Sequence, residues 1–154
     1  MQIDTRDLAC LGLLQQDAEM PVQAIADRVA LSPSATSRRI TALRQAGFIR
    51  RVVALLDRGR LRVPTTVFLT IRAMHSEEWT VRFKAAIAAI PEIVEAHRLA
   101  GNIDYVLRIV VPDVAYYDII YKRLIAEVEI GEVSAYFSME TLKDETALPL
   151  SHVS

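Results

Sequence analysis

The sequence predicts an α+β protein made of two unlike parts, and three observations carry that prediction. Apolar residues recur at helical spacing three times within the first 47 residues, each run closed by a turn residue. From Val63 onward, β-branched alternation and helical spacing take turns in the order βαββαβ. Charge also divides: residues 1–62 hold ten arginines, no lysine and six acids, a net +4, whereas residues 63–154 hold eight basic and thirteen acidic residues, a net −5. Two opposite halves in a chain of net charge −1 point to two modules with different partners, the basic one suited to phosphate.

The elements follow in order. Asp4 caps the first helix, with Asp7 at N3 where its charge suits the helix dipole, and Leu8, Leu11 and Leu14 mark its apolar face up to about Glu19. Pro21 sits in the first turn of a second helix whose Val22, Ile25, Ala26 and Val29 share a face. Ser32 caps a third helix with Pro33 at N1, and Gly47 ends it. The run FIRRVVALLDRGRLRV then reads as a small hairpin turning near Asp57–Gly59. In the second half, VPTTVFLTIRA (63–73) is a strand, and Ser76 caps a helix with Trp79, Phe83, Ala86 and Ile90 on one face until Pro91 stops it. IVEAHRL and DYVLRIVV are strands joined at Gly101–Asn102; Asp113 opens a helix carrying Val114, Tyr117, Ile120, Tyr121, Leu124 and Val128; EVSAYFSMETL is the last strand. The division expected is a helical part over 1–50, a hairpin or linker over 51–62, and a ferredoxin-like βαββαβ part over 63–154.

Composition narrows the class. A chain of 154 residues that is 52% hydrophobic is a folded globular protein of one or two small domains. No apolar run approaches the ~20 residues that span a bilayer. The start, MQIDTRDLAC, has acids where a secretory signal needs basic and apolar regions. With Cys10 alone there is no internal disulfide or cysteine metal cluster, and a reducing cytoplasm is the expected location. His75, His97 and His152 share no metal-ligand spacing, and no nucleophile elbow, phosphate-cradling glycine loop or carboxylate pair appears, so neither an enzyme nor a cofactor is expected.

One strand implies a partner. Along Tyr105–Val111, Tyr105, Leu107, Ile109 and Val111 point one way while Val106 and Val110 point the other. Two helices cover only one face, so the other needs a second copy of the chain, a homodimer at least.

The arginine-rich third helix carries the functional reading. Thr36, Ile40 and Leu43 fall inward, leaving Ser34, Ala35, Ser37, Arg38, Thr41 and Gln45 outward with Arg39 and Arg44 at the flanks. Small residues near the N-terminus permit close approach to a major groove, and hydroxyls and guanidinium groups bond base edges and phosphates. With the preceding helix and short turn this fits a helix-turn-helix, in which Ser32, Ser34, Ala35, Ser37, Arg38, Arg39, Thr41 and Arg44 meet double-stranded DNA and Arg38 leads. Arg50, Arg51, Arg58, Arg60 and Arg62 on the hairpin would touch the flanking backbone. Many such turns carry glycine where Ala30 stands, so this turn either avoids positive φ or is strained.

Three stretches, IDTRDLACLGLLQQDAEMPVQAIADRVALSPSATSRRITALRQAGFI, IPEIVEAHRLAGNIDYVLRIVVPD and LKDETALPL, together resemble the leucine-responsive regulatory protein/AsnC (feast/famine, Lrp/AsnC) family of prokaryotic transcription regulators. The resemblance implies an N-terminal winged helix-turn-helix joined to a ferredoxin-like effector domain. It further implies dimers pairing through their sheets, assembly into tetramers or octamers, and a response to an amino acid or related metabolite. By the same resemblance Gly101, Asn102, Asp104 and Tyr105, with Ser138 on the last strand, mark the effector site. Asp104 then pairs with an α-ammonium group, or else caps a plain turn with Tyr105 in the core. Where the family often has hydroxyl residues on the last strand, Tyr136 and Phe137 stand beside Ser134 and Ser138, and bulky aromatics there would fill or reshape the pocket.

Overall fold

A computed structural model describes residues 2–73 and 76–153, so the expectation for His75 lies outside the described residues. The chain forms two compact units: residues to Leu55 together with those from Lys143 onward, and Leu56–Leu142. The last dozen residues, expected with the ferredoxin-like part, therefore pack with the helical one.

The helical unit comprises α1 (Thr5–Gln16), α2 (Val22–Val29) and α3 (Pro33–Gln45). Asp4 and Asp7 form a reciprocal capping box, each carboxylate accepting from the other's backbone N–H at 2.8 and 3.0 Å. The three helices enclose Cys10, Ile25, Val29, Ile40 and Leu43, all at most 7% exposed, with Leu11, Leu14, Leu31 and Ile49 packed around them. Burying such side chains contributes roughly 1.5–3 kcal/mol each. Val22, expected on the buried face of α2, is exposed at the helix start. Between α2 and α3 the chain turns through Ala30 at φ 53° and ψ 53°, so the strained alternative is the one realised. Its N–H donates to Ala26 O and that of Leu31 does so at 3.0 Å, closing the helix in the way a glycine usually does.

The sheet unit comprises β1 (Thr65–Arg72), α4 (Glu77–Ala88), β2 (Ile93–Arg98), β3 (Tyr105–Val111), α5 (Val114–Glu127) and β4 (Glu132–Phe137). The antiparallel order β2-β3-β1-β4 is that of the split βαβ arrangement. Hydroxyl and carboxylate caps start both helices: Ser76 Oγ accepts from Trp79 N–H and Asp113 Oδ1 from Tyr116 N–H. Val67, Leu69 and Ile71 of β1 and the alternate residues of β3 from Tyr105 to Val111 pack against Phe83, Ala86, Ile120 and Leu124 of the two helices. Val114, expected on that side of α5, is 60% exposed. The opposite face holds Phe68, Val106, Val110 and Tyr136, with Arg108 of β3 bonded to Glu95 of β2 at 2.6 Å. That bond holds the Glu95 carboxyl below its ordinary range.

The expected hairpin does not form. The turn is present, with Asp57 Oδ1 accepting from Arg60 N–H and Asp57 O from Leu61 N–H, and Arg62 takes φ 60°. Residues 50–57 pair with no described strand. Val52, Val53, Leu55 and Leu56 are 56–73% exposed, so the β-branched pattern that suggests a strand has no ladder partner within the described chain.

Candidate nucleic-acid interface and ligand cavity

Helix α3 is built so that its two faces have different tasks. Ser32 Oγ accepts from Ala35 N–H at 3.2 Å and Pro33 occupies the first turn, where its missing donor costs nothing. No acid stands in that turn, so the positive end of the helix dipole is left uncompensated. Thr36, Ile40 and Leu43 are buried; Ser34, Ser37, Arg38, Thr41 and Arg44 are exposed along one stripe, and Ala35 is half-buried beside them. The side chains of Ser37, Arg38, Thr41 and Arg44 make no hydrogen bond or ion pair with any described residue. Gly47, at φ 80°, takes the left-handed position that closes the helix.

Arg39 behaves differently from its neighbour. Its Nη1 donates to Asp4 Oδ2 at 2.8 Å and to Asp7 Oδ1 at 2.7 Å, tying the middle of α3 to the start of α1. Asp7's side chain is only 3% exposed, so this guanidinium is the counter-charge of a buried carboxylate. The carboxylates hold Arg39 above its usual range, while Asp7's backbone N–H and then Arg39 hold Asp4 below its own. Expected at a DNA-facing flank, Arg39 here bonds two carboxylates at the start of α1, a tertiary pairing with no local signature in the sequence.

The basic residues beyond α3 also separate. Arg50 and Arg51 are exposed in the helical unit, whereas Arg58, Arg60 and Arg62 lie in the sheet unit's opening turn. Arg58 Nη1 donates to Thr66 Oγ1 at 2.6 Å. They do not lie on one hairpin.

In the sheet unit, the Gly101–Tyr105 loop is tied down at several points. Asp104 Oδ2 accepts from Ala73 N–H at 2.9 Å, Asp104 N–H donates to Ile71 O, and Leu99 N–H to Asp104 O. Gly101 takes φ 150°, a backbone state that side-chain-bearing residues rarely adopt. Tyr105 is 8% exposed, its ring centroid 4.9 Å from Phe83 and 5.6 Å from Trp79. Asp104 is thus bonded to the end of β1 and Tyr105 packs in the core. Beside the loop is a cavity of about 160 Å³ lined by Thr70, Arg72, Asn102, Ile103, Glu132, Ser134 and Tyr136. Of the five expected effector residues only Asn102 lines it; Ser138 turns its hydroxyl to Glu140 O. The two aromatics of β4 part company, Tyr136 toward the cavity and Phe137 edge-on to Tyr117 on the helix side. Arg72 and Glu132 bond across the β1–β4 register at 3.0 Å. Only that register brings them together, which is why the sequence did not flag them. A larger groove of about 490 Å³ lies between α4 and α5, and its Arg82 and Arg123 donate to the backbone carbonyls of Glu127 and Ala89.

A helix-turn-helix with an outward stripe of unengaged donors, joined in one chain to a four-stranded sheet unit carrying a polar cavity, defines a DNA-binding regulator with a ligand-binding domain. Comparison with known proteins agrees on both halves: residues 3–50 match the winged helix-turn-helix DNA-binding family and residues 66–148 the Lrp/AsnC ligand binding domain. The chain is 51% identical over 152 residues to the HTH-type transcriptional regulator Zrp of Zymomonas mobilis, covering 98% of this chain and 99% of that one. The crystal structure of an AsnC family transcriptional regulator from Agrobacterium tumefaciens, 46% identical, superposes with a TM-score of 0.93 over 96% of this chain and 97% of that one. A transcriptional regulator of Neisseria meningitidis solved as a complex with L-Met, 27% identical, also gives 0.93 over 99% of both chains. The protein belongs to the Lrp/AsnC family of transcriptional regulators; it is a DNA-binding regulator and not an enzyme. No helix among the described residues is long and apolar enough to cross a membrane.

Proposed function

We propose that the exposed stripe of α3 enters the major groove of operator DNA, with Arg38 the leading base or phosphate contact and Ser34, Ser37, Thr41 and Arg44 beside it. The observation that carries this is the contrast on the helix itself: Arg38 and Arg44 have no partner among the described residues, whereas Arg39 has two. A titration of Arg38→Ala with operator DNA at several salt concentrations tests it. The expected loss is about 1–3 kcal/mol, with the salt slope smaller by about one. Unchanged affinity with an unchanged slope removes Arg38 from the interface.

The working form is a homodimer, built further into tetramers or octamers. Its support is the open apolar sheet face around Phe68, Val106, Val110 and Tyr136, and the exposed, unpaired Val52–Leu56 segment, which a second copy would pair. Two α3 helices then meet DNA about 34 Å, or a multiple of that, apart. The protein acts in the prokaryotic cytoplasm, associated with the nucleoid.

An amino acid is the effector, as L-Met is the ligand of the Neisseria relative. Arg72 and Glu132 offer a cation and an anion to an α-carboxylate and an α-ammonium group, and Asn102 ties the cavity to the glycine loop. Ligand bound differentially in two assembly states shifts promoter affinity. Calorimetry with the twenty amino acids is expected to find a binder whose affinity falls at least tenfold in Arg72→Ala. Equal binding by both proteins would move the site elsewhere.

A further inference from the structure

The motif LKDETALPL, residues 142–150, has no part in the sites described above. By homology it continues the ligand-binding domain, whose match runs to residue 148. By packing it belongs to the helical unit. Gln15, near the end of α1, holds the backbone of Leu148 from both sides: its Nε2 donates to Leu148 O and its Oε1 accepts from Leu148 N–H, both at 2.9 Å. Its amide thus stands in for the peptide group of a neighbouring strand. Gly12, three residues earlier and on the same side of α1, leaves the helix surface bare. A Cβ there would lie 3.9 Å from Leu150 Cδ1, and Leu150 is half-buried while Leu142 and Leu148 project outward. A mid-helix glycine costs about 1 kcal/mol relative to alanine, which nothing in α1 itself recovers. An amide clamp next to an apolar seat is a small receptor for an extended peptide.

We infer that the Gly12–Gln15 face of α1 is a docking site for the chain's own tail, and that seating the tail gives the DNA-binding unit a second tether to the ligand-binding unit. The chain passes between the units twice, at residues 55–56 and 142–143. A unit joined through one flexible connection swivels; joined through two, it samples fewer positions. In a dimer on DNA this raises the effective concentration of the second recognition helix at its half-site. Strand β4, whose Ser134 and Tyr136 line the cavity, leads into this tail, so events at the cavity have a covalent route to α1. The tether's effect on DNA rests on the dimeric reading above.

The test uses the full chain and a duplex selected from a random pool by the unaltered protein, alongside the same duplex with one half-site scrambled. Leu150→Asp spoils the seat from the tail side, and Gly12→Glu occupies it with a good helix former. Both are expected to bind the two-site duplex at least tenfold more weakly and the one-site duplex unchanged. Gly12→Ala, whose Cβ makes ordinary contact with Leu150, is expected to bind both like the unaltered protein. Unchanged two-site binding in both disruptive variants overturns the tether. So does an equal fall on both duplexes, which would make the tail merely part of the helical unit's fold. If the unaltered protein itself fails to distinguish the duplexes, the dimeric reading falls first, and light scattering on the same sample identifies that case.

Discussion

The helical unit holds seven arginines and the sheet unit eight, yet they are used in opposite ways. Among the described residues, the side chain of only one of the seven, Arg39, bonds to the chain. In the sheet unit five of the eight do, through Arg58, Arg72, Arg82, Arg108 and Arg123. Net charge alone would set the halves apart by sign. Pairing separates them by availability, because an exposed guanidinium with no partner in its own unit keeps its full field for a phosphate. The same distinction operates within α3 between two consecutive residues.

Arg39→Ala presses hardest on that contrast. It strands the buried Asp7 carboxylate, and a denaturant titration is expected to show the helical unit unfolding at clearly lower denaturant while the sheet unit's transition stays in place. Arg38→Ala, described above, is the mirror case: unaltered stability with weaker, less salt-sensitive DNA binding. If both substitutions lowered DNA affinity with the same change in salt slope, the division between fold and contact on α3 would not hold. Smaller effects sharpen the account of the helical unit. Thr36 is fully buried and its hydroxyl has no hydrogen-bond partner among the described residues, so Thr36→Val is expected to raise thermal stability by about 1 kcal/mol. Ala30→Gly relieves the left-handed turn but loosens the unfolded chain, leaving a net gain of about 0.5–1 kcal/mol. A loss in that variant would mean the turn is held for another reason.

Local chemistry was the legible part. Asp4, Ser32, Ser76 and Asp113 each announce a helix start because a cap bonds backbone two or three residues away, and all four do so here. The inward face of α3 followed from period alone. What failed needed a partner distant in sequence. The 48–62 hairpin has strand-like residues and a true turn but no ladder, since β propensity describes a surface wanting a neighbour and does not supply one. Nor did the spacing of Arg39 and Tyr105 give any sign of the bond to Asp7 or of the packing against Trp79 and Phe83. Arg72 and Glu132 converge only through strand register.

Cys10 brings a practical consequence. The chain has one thiol, fully buried in the helical unit's core, and burial first, then the Asp7 charge, pushes its pKa above the ordinary value. It reacts only when that core opens, so the rate at which an alkylating reagent consumes it is a clock for local unfolding around the recognition helix. If DNA engages the closed form, adding duplex should slow the clock, so that Cys10's own reactivity reports operator binding.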